Sequence, residues 1–157
     1  MTDAEIIERL KADLGGKIVE LTNPAPRRLF LKAAPGDLLA VTGTLRDKYG
    51  VVFLSTISGV DEGETFEIIY HFSTPEQDFN LRTEVPRARP HVESISLLIP
   101  GAVLYERELQ DMFGIVVDHI PDARRLLLSD DWPEGQYPLR KDWKHERPVE
   151  VIPGGES

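Results

Sequence analysis

The chain has 157 residues, of which 18 are Lys or Arg and 27 are Asp or Glu, so its formal net charge is −9. This length suits one hydrophobic core and is too short for two ordinary domains. An acidic chain without a basic cluster is not expected to bind nucleic acid, because binding requires Lys and Arg at phosphates. The chain has no cysteine, which excludes disulfides, thiolate zinc sites and cysteine-ligated iron–sulfur clusters within it.

The chain is also expected to lie outside the membrane. Its apolar runs, such as VVFL and LLL, are far shorter than the roughly 20 residues of a spanning helix. The N-terminal segment MTDAEIIERL is acidic and does not resemble a signal peptide. We therefore expect a cytoplasmic protein that reaches a membrane only through partner subunits.

The first half of the chain predicts two amphipathic helices. Thr2 and Glu5 form a capping-box pattern, and apolar residues then recur at helical spacing until Gly15. A similar pattern with Leu38 and Leu45 on one face ends at Gly50. We predict helices over 3–14 and 37–50, with short extended segments over 17–21 and 28–31.

The next segment changes to the period of a β-strand. An apolar, β-branched run begins at Val51, and alternation of apolar and polar residues follows over 66–72 and 79–85. Alternation places His71 on the solvent-facing side, where it is expected to be a surface residue. Three successive strands with short connections predict an antiparallel meander, and helices packed on one side of it give an α+β domain. A short helix around 92–98 and another over 102–114 are predicted after the meander.

The C-terminal part of the chain predicts no regular structure. Five of the twelve prolines fall in the last 37 residues, together with both tryptophans, Trp132 and Trp143. We therefore divide the chain into a domain, 1–118, and an extended irregular C-terminal arm, 119–157. The tryptophans either fold back on their own domain or dock on a partner, for which Trp, Tyr and Arg are enriched. We expect a large partner subunit to order most of this arm.

The helix over 102–114 carries an unusual carboxylate. On a helical wheel Glu108 falls at the edge of the apolar arc, where an ionised side chain needs a cation or several donors. One hypothesis is that acidic residues of this helix anchor the arm through the arginines downstream of it. The acidic residues are Glu106, Glu108 and Asp111, and the arginines are Arg124, Arg125 and Arg140.

An alternative hypothesis makes Glu108, Asp111 and His119 a metal or acid–base site of a free-standing enzyme. Hard cations bind carboxylates, and histidine can complete such a ligand set. The chain has none of the common metalloprotease, nucleophile-elbow or phosphate-loop motifs that would support this alternative.

Three motifs occur in order in the second half of the chain: YERELQDMFGI, PDARRLLL and DDWPEGQYPLRKDW. In this combination, over about residues 66–143, the sequence resembles the 30-kDa-type subunit of respiratory complex I, which is the C subunit in bacterial nomenclature. The same domain occurs in membrane-bound group 4 nickel–iron (NiFe) hydrogenases and formate hydrogenlyase-type complexes. The stretch LLLSDDWPEGQY looks more like the hydrogenase branch.

The resemblance also assigns residues. Those that match the family signature, as structural ion pairs, are Glu106, Arg107, Glu108, Asp111, Gly114, Asp122, Arg124 and Arg125. Those expected at the interface with a partner are Trp132, Tyr137, Pro138, Leu139, Arg140, Lys141, Asp142 and Trp143.

The resemblance implies a scaffold subunit without a catalytic centre or cofactor of its own, in the peripheral arm of a membrane-bound, ion-translocating oxidoreductase. The implied partners are a NiFe-hydrogenase-like large subunit, an iron–sulfur small subunit and a ferredoxin-like subunit. The NiFe and iron–sulfur centres would lie in those partners, and membrane subunits would be contacted indirectly. Hydrogenase-type membership is expected, and the C subunit of NADH:quinone oxidoreductase (NADH dehydrogenase) is the alternative.

Overall fold

The computed structural model describes residues 1–145. Three α-helices and seven strands lie in this range, with two short 3-10 helices at Gly15–Lys17 and Pro35–Asp37. The helices are α1 (Asp3–Leu14), α2 (Leu38–Tyr49) and α3 (Ala102–Phe113), and the strands are β1 (Glu20–Ala25), β2 (Arg28–Lys32), β3 (Phe53–Asp61), β4 (Thr65–Ser73), β5 (Asp78–Pro86), β6 (His91–Glu93) and β7 (Val116–Asp118).

The main sheet has five strands in the order β1-β2-β5-β4-β3. The predicted meander is confirmed, since β4 pairs antiparallel with both β3 and β5. The sheet is nevertheless mixed, because β2 pairs parallel with β5, with Leu29 opposite Phe79. Pro24 lies within β1, which is an edge strand of the sheet. Proline is tolerated there because an edge strand forms hydrogen bonds on one side only.

The core lies on one face of this sheet. The alternating residues Phe66, Ile68, Tyr70 and Phe72 of β4 are all at most 1% exposed. Helix α2 reaches the same face through Tyr49, whose ring centroid is 5.8 Å from that of Phe79 on β5. Helix α3 reaches it through Phe113, 6.0 Å from the Phe66 ring. The predicted α+β class, with helices on one side of the sheet, is confirmed.

The predicted helix around 92–98 is wrong. Residues His91–Glu93 form β6, which pairs parallel with β7, and turns occupy the segment that follows. Val92 and Ile95 are both buried, at 2% and 0% exposure. Four apolar residues in seven positions fit either a helix or a buried strand and turn, and pairing with a strand 25 residues away decided between them.

The described part of the arm, residues 119–145, contains neither helix nor strand. It runs back along α3 and towards the end of β3. The Leu139 N–H donates to the Met112 carbonyl at 3.1 Å, near the C-terminus of α3. The Lys141 N–H donates to Asp61 Oδ2 at 2.9 Å, at the end of β3. The arm is thus bonded to the domain at several points.

Candidate functional site at the junction of helix α3 and the arm

Arg107 joins α3 to the start of the arm. Its Nε donates to the Arg124 carbonyl at 2.8 Å, and its Nη2 donates to the Arg125 carbonyl at 2.9 Å. The same guanidinium lies 3.5 Å from Asp122. Irregular backbone cannot satisfy its own carbonyls, so a guanidinium fork on a helix is an effective partner for two of them.

Asp111, one turn further along α3, holds the next arm residues. Its Oδ2 accepts hydrogen bonds from three consecutive amides, those of Leu126 at 2.9 Å, Leu127 at 2.8 Å and Leu128 at 3.2 Å. The side chain is buried, at 6% exposure. The predicted arginine partner of Asp111 is wrong, because backbone amides of the arm occupy the carboxylate.

Glu106 faces the opposite way, into the domain. It is fully buried and accepts hydrogen bonds from Ser94 Oγ and from the Ile95 N–H, both at 2.7 Å. Burial raises the pKa of Glu106, although the two hydrogen bonds act in the other direction, and nearby Glu93 adds to the rise. The prediction that Glu106 binds an arm arginine is therefore wrong. It fixes α3 to the turn that follows β6.

Glu108 differs from the other charged residues of the signature. Within residues 1–145 this half-buried side chain has no hydrogen bond or ion pair, so its predicted pairing with an arginine is wrong. The three candidate arginines have other partners: Arg124 binds Asp122, Arg125 binds the carbonyls of Ser129 and Asp130, and Arg140 binds the carbonyl of Phe113. Glu108 projects about 100° around the helix from Arg107 and about 60° from Asp111.

Gly114 ends α3 and allows the arm to pass closely. Its φ of 69° is in the left-handed region, which favours glycine at a helix C-terminus. A Cβ at this position would overlap the Tyr137 ring and lie 2.8 Å from Arg140 Nη2. Arg140 also donates from Nε to the Phe113 carbonyl at 2.7 Å, and its guanidinium lies 4.5 Å from the Tyr137 ring centroid. The glycine of the signature is therefore required for both turn and packing.

Asp61, which sequence reasoning missed, is a third anchor for the arm. It is 4% exposed and accepts hydrogen bonds from the amides of Gly63 and Lys141 and from Arg87. Burial alone would raise the pKa of Asp61, but the bonds from Lys141, Gly63 and Arg87 outweigh it and lower this pKa to about 2. Arg87 also binds Asp142 at 2.7 Å. The only feature of the sequence that marked Asp61 was its place in an Asp-Glu-Gly segment typical of a turn.

The two tryptophans pack against each other within the arm, with ring centroids 5.9 Å apart. Trp132 Nε1 donates to the Gln136 carbonyl at 2.9 Å. The indoles, with Tyr137, border an open cleft of about 610 Å³. The two indoles therefore pack within the arm itself, and the ordering of the arm by a partner subunit stays a prediction. Docking of the cleft on a partner stays a prediction.

The structure does not bring Glu108, Asp111 and His119 together. Asp111 is occupied by arm amides, and His119 Nδ1 lies 2.6 Å from Glu93 on β6. Within residues 1–145, the one group of three His, Asp or Glu side chains close enough to share an ion is Glu62, Glu67 and Glu84. Arg82 and Lys32 form ion pairs with Glu67 and Glu84 there. The alternative of an enzyme built on Glu108, Asp111 and His119 is therefore wrong.

Residues 31–149 match the family model described as "Respiratory-chain NADH dehydrogenase, 30 Kd subunit". The chain belongs to this family. The signature residues thus have definite structural roles: Arg107, Asp111 and Gly114 hold or admit the arm, and Glu106 fixes α3.

Relatives of the chain come from two kinds of complex. The C subunit of the NADH-quinone oxidoreductase of Mesorhizobium japonicum is 34% identical over 157 residues, covering 94% of this chain and 77% of that protein. Formate hydrogenlyase subunit 5 of Escherichia coli is 38% identical over 96 residues, covering 57% of this chain. The chain spans only 17% of the length of that second relative.

The fold is also found in a solved structure of the membrane-bound sulfane sulfur reductase, an archaeal respiratory membrane complex. The TM-score is 0.80 at 20% identity, over 90% of this chain and 85% of the other. At that identity the likeness concerns the fold alone. Among the helices of residues 1–145, none has the length and apolar character needed to cross a bilayer.

Proposed function

We propose that this chain is a scaffold subunit, without a catalytic centre, in the peripheral arm of a membrane-bound, ion-translocating oxidoreductase. Membership of the 30-kDa subunit family supports this proposal, as do relatives named for respiratory and hydrogenlyase complexes. The absence of cysteine means that cysteine-ligated clusters belong to other subunits. Such a subunit attaches to the inner face of the cell membrane through its partners.

The main support for the proposal is that α3 holds the arm by hydrogen bonds while apolar side chains of both stay exposed. Arg107 and Asp111 bond the backbone of 124–128 and leave the side chains of Leu126 and Leu127 exposed, at 39% and 55%. Leu104 on the outward side of α3 is 54% exposed. Exposed apolar residues on a braced, irregular segment are suited to burial against another protein.

Glu108 adds a polar determinant to this surface. It lies one helical turn from Leu104, so both side chains share the outward side of α3. A half-buried carboxylate without a partner in residues 1–145 gains most from a cation supplied by a neighbouring subunit. We therefore assign the interface to Leu104, Glu108, Leu127 and the aromatic cleft of the arm, facing a large subunit that presents an Arg or Lys between apolar side chains.

Within this class we propose a complex of the hydrogenase type, with NiFe and iron–sulfur centres in the large, small and ferredoxin-like subunits. The 96-residue match to formate hydrogenlyase subunit 5 supports this choice. The C subunit of an NADH:quinone oxidoreductase is the second candidate, favoured by a relative that matches 94% of the chain.

Affinity purification of the tagged chain from solubilised membranes tests the proposal. We expect a large subunit and iron–sulfur subunits to co-purify, with nickel in a hydrogenase-type complex and NADH oxidation in the alternative. Glu108→Gln should weaken co-purification in high salt, whereas the control Glu76→Gln, at an exposed position in the turn between β4 and β5, should not. Recovery of the tagged chain without other subunits would contradict the scaffold role.

A further inference from the structure

A chain of hydrogen bonds crosses the sheet on the face opposite the helices. Ser58 of β3 lies with its Oγ 2.9 Å from His71 Nε2 on β4, and His71 Nδ1 lies 2.7 Å from Asn80 Oδ1 on β5. Asn80 also donates from Nδ2 to the Leu29 carbonyl of β2 at 3.2 Å. Four neighbouring strands therefore contribute to one line of polar groups.

The bonds of Asn80 determine where the imidazole carries its proton. Because Nδ2 of Asn80 faces the Leu29 carbonyl, the atom facing the imidazole is the carbonyl oxygen Oδ1. An oxygen acceptor requires a proton on His71 Nδ1. In the neutral ring, Nε2 is then an acceptor, and the Ser58 hydroxyl must be the donor.

This arrangement is that of a nucleophile, a base and an orienting group. We propose that Ser58 is a nucleophilic acceptor site for acyl groups carried on good leaving groups, with His71 as its base and Asn80 as the positioning residue. Ser58 and His71 are half-buried and Asn80 is buried, at 7% exposure, which holds the array in place. A cleft of about 260 Å³, lined by Arg28, Phe30, His71 and Asn80, adjoins the β5 side of the array, and Ser58 is not among its lining residues.

The reaction is an acyl transfer without any redox change. Ser58 Oγ forms a bond to the acyl carbon while its proton passes to His71 Nε2. The bond between the acyl carbon and the leaving oxygen breaks, and the leaving group takes up a proton from the imidazolium or from water. The product is an acyl ester of Ser58 and the free alcohol.

The chain contains a matched control on the same strand. Ser55 is more exposed than Ser58, and its hydroxyl lies 3.3 Å from Ser73 Oγ instead of an imidazole. If exposure alone governed reactivity, Ser55 would react faster. General-base assistance contributes about 100-fold or more to a rate. The array therefore predicts that Ser58 reacts about 100-fold faster than Ser55.

The test is acetylation of the full chain by p-nitrophenyl acetate, with the modified residues located by peptide mass spectrometry over a time course. We expect acetyl-Ser58 to form about 100-fold faster than acetyl-Ser55. His71→Gln, which keeps a hydrogen-bonding amide but no base, should reduce the Ser58 rate to the Ser55 rate. Ser58→Ala should remove the fast phase of p-nitrophenol release, and Ser55→Ala should retain it.

A second measurement uses the unmodified sequence, so it does not depend on the folding of a variant. Protonated imidazole cannot accept the hydroxyl proton, and acetylation of Ser58 should therefore slow in acid relative to that of Ser55. Equal rates at the two serines, an unchanged rate in His71→Gln, or an acetyl group carried by His71 would each overturn the proposal.

Discussion

Replacing Glu106 by Gln tests how a buried carboxyl is accommodated beneath the interface helix. The side chain is fully buried, and its two bonds to Ser94 Oγ and the Ile95 N–H are both 2.7 Å long. A Gln carbonyl can accept from Ile95, and its amide can donate to Ser94. The Ser94 hydroxyl can turn towards Ser96, whose Oγ is also 2.7 Å away. The substitution therefore removes the titrating group with little change in shape.

The expected effect depends on pH. Burial raises the pKa of Glu106 in the folded chain, so the folded state binds the proton more tightly than the unfolded state. The stability that Glu106 contributes is complete below its unfolded pKa and is lost as pH rises through its folded pKa. Each unit between the two pKa values corresponds to about 1.4 kcal/mol. Glu106→Gln should not show this loss.

Urea unfolding of the parent and of Glu106→Gln, from about pH 4 to about pH 8, measures the effect as a difference, in which the other titrating groups cancel. As pH rises, the free energy of unfolding of Glu106→Gln should increase relative to that of the parent. Glu106→Ala should lose about 1–3 kcal/mol at every pH, because the Ile95 amide is left without its acceptor. A difference between parent and Gln variant that is independent of pH would refute the argument.

Three further substitutions probe the attachment of the arm. Asp111→Ala removes the acceptor of three arm amides, so trypsin should cleave after Arg124 and Arg125 faster than in the parent; equal cleavage rates would contradict this. Gly114→Ala should lower the free energy of unfolding by about 1–3 kcal/mol more than Gly50→Ala, because both glycines have φ of 69° and only Gly114 lies against the arm. Equal losses in urea would show that the arm does not pack there. The pKa of Asp61, about 2 when folded, implies stability that is present above its unfolded pKa and lost as pH falls towards 2. Asp61→Asn should weaken this acid dependence and lower the free energy of unfolding at neutral pH by about 1–3 kcal/mol, measured by chemical unfolding. If the variant lost stability in acid as steeply as the parent, the low pKa of Asp61 would be contradicted.

Local patterns in the sequence were sufficient for the helices and the meander. The Thr2–Glu5 capping box is formed, with Thr2 N–H to Glu5 Oε2 at 2.7 Å, and α1 and α3 lie within a residue or two of their predicted bounds. These features depend on residues three or four positions apart, so they can be inferred without knowing what packs against them. The motifs that identify the family are local in the same sense.

Only the tertiary structure decided which strands and charges meet. The parallel pairing of β2 with β5 and of β6 with β7 joins segments far apart in the chain, and periodicity does not specify a distant partner. The same reason separates Glu106, Glu108 and Asp111. Their spacing on α3 was known, but only the packing showed that Asp111 accepts from arm amides and that Glu106 is buried on Ser94 and Ile95. Glu108 has no hydrogen bond or ion pair within residues 1–145.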